Sequence, residues 1–172
     1  NVLRKIGGEY SVTEDGIEFW RAIPGPLRPI MLETGTHPGF MTDWQQPTAV
    51  LLTQAEGVST IHETVYEDRF GYAQDLNLMG ANIKVQAKCL GESVCRFSGK
   101  TFQHSAEITG PSKLHGANLA VRDLRSGIAH VIAALTADGE SMIDGIEELD
   151  RGYENLDERL RKLGANISRQ NS

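Results

Sequence analysis

Leu76-Asn77-Leu78-Met79-Gly80-Ala81-Asn82-Ile83 has two relatives within the same chain. One is Leu3-Arg4-Lys5-Ile6-Gly7-Gly8-Glu9-Tyr10, and the other is Leu160-Arg161-Lys162-Leu163-Gly164-Ala165-Asn166-Ile167. In the middle copy Tyr72, Leu76 and Met79 fall on one helical face, and in the last copy Leu156, Leu160 and Leu163 do. Each run then meets a glycine, the residue that most readily takes the left-handed conformation stopping a helix. A short strand should follow, as over Ile83 to Ala87.

The similarity extends backwards. Asp43-Trp44 with Ala55-Glu56-Gly57-Val58-Ser59-Thr60-Ile61 matches Asp123-Leu124 with Ala137-Asp138-Gly139-Glu140-Ser141-Met142-Ile143. Glu67-Asp68-Arg69-Phe70 and Leu149-Asp150-Arg151-Gly152 occupy equivalent places. The predicted unit is helix, glycine turn, strand, loop with Asp-Arg, second helix, glycine, hairpin. It is longer than common solenoid repeats. Two and a half units are present, with the start of the first missing, so the chain is expected to be a fragment of a longer polypeptide. The first helices, Thr48 to Ala55 and Ser126 to Ala137, hold no formally charged residue apart from His130. A helix apolar on all sides is buried on all sides. The strands Ser11 to Glu14 and Gly16 to Phe19 are more polar on one face. The expectation is a single α/β domain over 1–172 with helices inside and sheets outside, inverting the usual α/β barrel.

A chain of 172 residues and 18.9 kDa suits one domain, or at most one and a half. With 17 basic and 23 acidic residues the net charge is −6, which disfavours a nucleic-acid or anionic-membrane partner. No apolar run approaches the roughly 20 residues that cross a bilayer. Asn1 to Glu9 has charges and glycines but no apolar core, so no signal peptide is expected there. Cys89 and Cys95 bracket what reads as a hairpin turn. Reduced thiols packed across strands are favoured, with a disulfide, metal or redox role as alternatives. The five histidines (His37, His62, His104, His115, His130) are scattered, so a zinc site is not expected.

Asp43 follows His37-Pro38-Gly39-Phe40-Met41-Thr42 and opens a buried helix. A carboxylate there caps backbone N–H groups or does chemistry. The matching Asp123 favours the cap. The two roles are compatible, since a helix N-terminus can also meet an anionic ligand. Arg69, Arg125 and Arg151 are forked cations suited to phosphate or carboxylate. Taken alone, the residues favour surface or inter-repeat salt bridges with the adjacent Asp68, Asp123 or Asp150. Lys84, Lys88, Glu147 and Glu148 read as solvated surface. Gly25-Pro26-Leu27-Arg28-Pro29 is not a phosphate-binding loop.

His37-Pro-Gly-Phe-Met-Thr-Asp43, Glu63-Thr-Val-Tyr-Glu-Asp-Arg69-Phe70, Asp123-Leu-Arg125 and Asp150-Arg-Gly-Tyr-Glu154 together resemble the enolpyruvyl transferase family. The branch they match uses UDP-N-acetylglucosamine in peptidoglycan precursor synthesis. The resemblance runs from about Ile30 to Ile167. It implies two similar domains, each built from three β-α-β-α-β-β units with helices inside. This chain would be most of one domain, lacking its companion domain and inactive alone. It also implies addition of phosphoenolpyruvate to a sugar hydroxyl through a tetrahedral adduct, with loss of phosphate and no metal or cofactor. Asp43 would be the base and would bind the UDP-sugar with Val65 and Tyr66. Arg125 and Arg151 would hold phosphoenolpyruvate, with Arg69 nearby. The setting implied is the cytoplasm and cell-wall biogenesis, hence cell shape, cell cycle and division. The family's mobile-loop acid has no match here, and neither Cys89 nor Cys95 lies in that motif. Met41 stands for the usual Pro, Tyr66 for Phe, and Trp44-Gln45-Gln46-Pro47 follows the Asp. These departures leave open another nucleotide or shikimate-type acceptor. A non-catalytic repeat module is the other class of reading, and an upstream coding sequence with further repeats would decide against it.

Overall fold

A computed structural model describes residues 1–92 and 94–170. The repeated glycines end helices as their sequence demands. Helix α1 (Val2–Ile6) stops at Gly7, α3 (Tyr72–Leu78) is followed by Gly80, and α6 (Leu156–Lys162) by Gly164. Their φ angles are 114°, 100° and 96°. Ala81 N–H reaches back to Leu76 O, and Ala165 N–H to Leu160 O, both at 3.0 Å, satisfying carbonyls the helix end leaves open. The surroundings differ. A Cβ on Gly80 would lie 2.9 Å from the Lys113 carbonyl oxygen, whereas one on Gly164 would meet nothing within 4 Å. Gly164→Ala should therefore cost only backbone strain, about 1 kcal/mol. Gly80→Ala should cost about 1–3 kcal/mol more through overpacking. Urea midpoints of the two variants check this, and equal losses would contradict it.

Strands β1 (Gly8–Thr13) and β2 (Gly16–Arg21) form an antiparallel hairpin, largely exposed along β2. A four-stranded sheet follows, with β3 (Met31–Glu33), β4 (Gly57–His62), β5 (Asn82–Gln86) and β6 (Ser105–Gly110) in the order β3-β4-β6-β5. Here β3 runs parallel to β4, and α2 (Gln45–Leu52) spans the pair. The third sheet has the same form: β7 (Asn118–Ala120) runs parallel to β8 (Met142–Asp144), and α4 (Leu124–Thr136) spans them. The short α5 (Glu147–Asp150) precedes α6.

Helices α2 and α4 pack together, and α3 packs against α4. Ala49 and Leu52 of α2 and Ala129 and Ala133 of α4 are fully buried in one core with Ile61, Leu76 and Ile108. The uncharged helices are thus central, although both begin earlier than the apolar pattern predicts. Gln45 and Gln46 are buried in the first turn of α2, where they find polar partners. The last turn of α4 departs from burial, since Leu135 and Thr136 are exposed. A second cluster of Val121, Val131 and Leu149 takes Leu156 and Leu160 of α6, while Leu163 is exposed. No helix among the described residues is long and apolar enough to cross a membrane.

Cys89 and Cys95 do not sit on a hairpin turn. Strand β5 ends at Gln86 and β6 starts at Ser105, so both lie in a long connection whose described residues form no strand; Ser93, inside the expected turn, lies outside the described residues. Phe97 is fully buried and packs against Phe102 and His104, which draws this connection over the sheet end.

Candidate functional site

The segment before Asp43 is a closed loop. Gly35 N–H donates to Phe40 O at 2.8 Å and Gly39 N–H to Thr36 O at 2.7 Å. A Cβ on Gly39 would approach that Thr36 oxygen to 2.9 Å, so the turn favours glycine. A 3₁₀ turn, Thr42–Trp44, then leads into α2, and Phe40 packs edge-on against Trp44 at 5.6 Å.

This entry changes the role of Asp43. It does not cap: neither the 3₁₀ turn nor α2 has a side-chain cap. Its Oδ1 instead accepts from Arg69 Nη2 at 2.8 Å and from Arg125 Nε. The cap expected from the repeat holds only for Asp123. That residue is extended (φ −156°), and its Oδ1 accepts from Arg125 N at 2.9 Å and Ser126 N at 3.1 Å. The difference is geometric. Asp123 directly precedes an α-helix, whereas Asp43 lies within a tighter turn that carries its side chain outward.

Burial acts to raise the Asp123 carboxyl. The Ser126 hydroxyl and N–H, the Arg125 N–H and the nearby Arg69 charge outweigh it and hold Asp123 below the usual carboxylate range. The hydrogen bond to Asp43, with its charge, keeps the Arg125 guanidinium more firmly protonated than usual.

Arg69 is mostly buried, and its guanidinium lies 4.7 Å from the Tyr66 ring centroid. Gln46, oriented so that its amide nitrogen donates to Thr42 O at 3.2 Å, accepts from Arg69 Nε at 3.1 Å. Asp68 takes a left-handed φ of 46° and accepts the Gln103 N–H at 2.9 Å, fixing the bend before Arg69.

Beneath this cluster sits Glu63, fully buried. Its Oε2 accepts from Thr42 Oγ1 and Gln45 Nε2, both at 2.9 Å. Its Oε1 accepts the amides of Val65 at 2.8 Å and Tyr66 at 3.0 Å. Four donors on two oxygens are what an ionised carboxyl satisfies. Burial and the Glu63 charge push the Tyr72 hydroxyl far above its ordinary value, so it stays protonated and donates to Gln45 Oε1 at 3.1 Å. Glu63 therefore ties the Asp43 turn to the Val65–Tyr66 segment. Sequence reading quoted Glu63 within a motif but gave it no role. The available signal was a lone acid ending the otherwise uncharged run Gly57 to His62.

Asp43, Tyr66, Arg69 and Arg125 thus come together, with Val65 beside them. Arg151 does not join them. It follows α5, is largely exposed, and pairs with Glu148 at 2.8 Å. A cavity of about 730 Å³ lies elsewhere, between α4, β8, α5 and the C-terminal segment, and shares no residue with this cluster. Chemically, the cluster offers one carboxylate and two guanidiniums on an open surface, a fit for an anionic ligand bearing a proton to be taken. One group among the described residues could hold a metal: His62, Cys89, Cys95 and His104. Two of the five histidines, His62 and His104, are brought together there, contrary to the expectation that all five are scattered, while His37, His115 and His130 lie outside the group.

The model of the family EPSP synthase (3-phosphoshikimate 1-carboxyvinyltransferase) matches residues 1–160. UDP-N-acetylglucosamine 1-carboxyvinyltransferase of Protochlamydia amoebophila is 51% identical over 98% of this chain and 36% of its own length. UDP-N-acetylglucosamine 1-carboxyvinyltransferase 2 of Bacillus subtilis is 42% identical over 98% and 35%. The chain thus spans about a third of these relatives. The crystal structure of the enolpyruvyl transferase NikO from Streptomyces tendae is similar at TM-score 0.81 and 30% identity, over 97% of this chain and 35% of that one. EPSP synthase from Acinetobacter baumannii, 17% identical at TM-score 0.63 over 97% and 36%, shares the fold. With most of its length inside the family model and these relatives alongside, the chain belongs to the EPSP synthase family of carboxyvinyltransferases.

Proposed function

We propose that the full-length protein transfers the enolpyruvyl group of phosphoenolpyruvate to the 3-hydroxyl of UDP-N-acetylglucosamine, releasing phosphate. The observation that carries this is the position of Asp43: not capping a helix, but held by two arginines at an open surface. Asp43 takes the hydroxyl proton as oxygen attacks C2 of phosphoenolpyruvate. The carboxylate and phosphate of phosphoenolpyruvate compete for the guanidiniums of Arg69 and Arg125, which frees Asp43 for that proton. The attack breaks the C2–C3 double bond and C3 takes a proton from the family's mobile-loop acid, which this chain does not supply; collapse of the tetrahedral adduct then removes a proton from C3, restores the double bond and expels phosphate. Val65 and Tyr66 border the sugar. Arg151, exposed in this chain, reaches phosphoenolpyruvate when a companion domain closes on this one. The two parallel strand pairs, each spanned by a buried helix, support an inside-out arrangement of repeated units in the complete domain. The setting is cytoplasmic peptidoglycan precursor synthesis.

Identity near 50% with relatives named UDP-N-acetylglucosamine 1-carboxyvinyltransferase supports this acceptor. The test is phosphate release by the full-length protein from phosphoenolpyruvate with UDP-N-acetylglucosamine, beside shikimate 3-phosphate and simple nucleotides. Turnover with UDP-N-acetylglucosamine alone is expected. Preference for any other acceptor by tenfold in kcat/KM would overturn the assignment.

A further inference from the structure

We propose that His62, Cys89, Cys95 and His104 form a structural zinc site that fastens the β5–β6 connection to the end of β4. One ring nitrogen of each histidine and the two sulfurs all lie within 4.8 Å of one another. A tetrahedral zinc ion with Zn–S near 2.3 Å and Zn–N near 2.0–2.1 Å sets ligand-to-ligand edges of roughly 3.3–3.8 Å. Cys89 Sγ and His104 Nε2 are already 3.3 Å apart. The other ligands need small movements, and Cys89 and Cys95 sit on irregular backbone that can make them.

The surroundings are those of a metal site. Metal-bound histidines usually give their second nitrogen to an oxygen acceptor, which fixes the tautomer. His62 Nδ1 lies 2.8 Å from Ser105 Oγ, and His104 Nδ1 lies 2.7 Å from Phe102 O. The backbone oxygen only accepts, so His104 presents an Nε2 lone pair to the cluster. His62 is fully buried, and its Nε2 has no hydrogen-bond partner. A buried nitrogen left unpaired is costly, and a cation removes that cost. The Phe97 N–H donates to Cys95 Sγ at 3.3 Å, which holds that sulfur beside the histidines. The register of β4 on β6 sets His62 opposite Ser105, so His104 emerges beside it. Gly91 lets the connection cross directly over His62, since a Cβ there would lie 2.2 Å from the ring.

Two sulfur and two nitrogen donors select zinc among common divalent ions. Four protein ligands leave no open position, so the ion is structural. The connection from Ala87 to His104 exceeds the roughly 12–15 residues that irregular loops in compact domains usually reach. A metal would supply the order that strand pairing does not. The site stands apart from Asp43 and holds whichever acceptor the protein uses.

The test is cobalt titration of the reduced, metal-stripped full-length protein, followed by zinc. Expected are one cobalt per chain, a tetrahedral visible spectrum with a charge-transfer band of two-thiolate intensity, and displacement by one equivalent of zinc. The double variant Cys89→Ser/Cys95→Ser should lose the band and bind zinc at least a hundredfold more weakly. Absence of a charge-transfer band in the wild type overturns the proposal whether or not the variant folds. Unchanged zinc affinity in a folded double variant also overturns it.

Discussion

Asp43→Asn, made in the full-length protein, is expected to fold with an almost unchanged melting temperature and to lose kcat by about a hundredfold or more. Asparagine keeps an oxygen that can accept from Arg69 and Arg125. The ion pairs themselves add little stability, because Asp43 is 54% exposed and solvent screens them. What the substitution removes is the ability to take a proton. Asp123 is the control from the same chain. Asp123→Ala deletes a true cap and should cost about 1 kcal/mol, with Asn keeping much of it. The Asp123 carboxyl is held below its ordinary value in the folded state. Its contribution is therefore present above the unfolded value near 3.9 and is lost as pH falls through the lower folded value. The measurements are kcat and melting temperature for both series. Near-normal kcat in Asp43→Asn would remove Asp43 as the base.

Glu63→Gln is expected to be the most damaging substitution to stability around the site, costing about 2–4 kcal/mol. The amide keeps one acceptor oxygen but turns an N–H₂ group toward two of the four donors now bound. Either Thr42 and Gln45 or Val65 and Tyr66 would face a donor in a site that excludes water. Both pairs matter for geometry, since one fixes the turn carrying Asp43 and the other the Val65–Tyr66 segment. The urea midpoint reads the stability. In the full-length protein, KM for the UDP-sugar should rise several-fold where the fold survives. A loss below about 0.5 kcal/mol, the size of an ordinary surface change, would show that Glu63 is not the anchor.

The parts of the fold legible in the sequence were those set by one residue or by periodicity. Gly7, Gly80 and Gly164 end helices because backbone conformation selects glycine there. The uncharged helices are buried because nothing on them needs water. The cap that the residue pattern favoured at Asp43 is absent because capping depends on the backbone ahead of a helix, and a 3₁₀ turn is not written in the residue pattern. Arg151 carries the same Asp-Arg signature as Arg69, yet its partner is a surface glutamate. Arg69 instead meets Tyr66, Gln46 and Asp43 through a bend held by Gln103, distant in sequence. The histidine–cysteine cluster was missed because its ligands come from a strand and from a connection with no regular structure. The one hint was that both cysteines of the chain share one short segment with a histidine at its end.

Glu63 also decides what kind of molecule can lie along Val65 and Tyr66. Both amide hydrogens there are already turned inward to one carboxylate oxygen. A compound resting against this stretch does not find these two backbone donors free. An ether, carbonyl or carboxylate oxygen laid against this stretch therefore gains no hydrogen bond from either amide and must find its donors in neighbouring side chains.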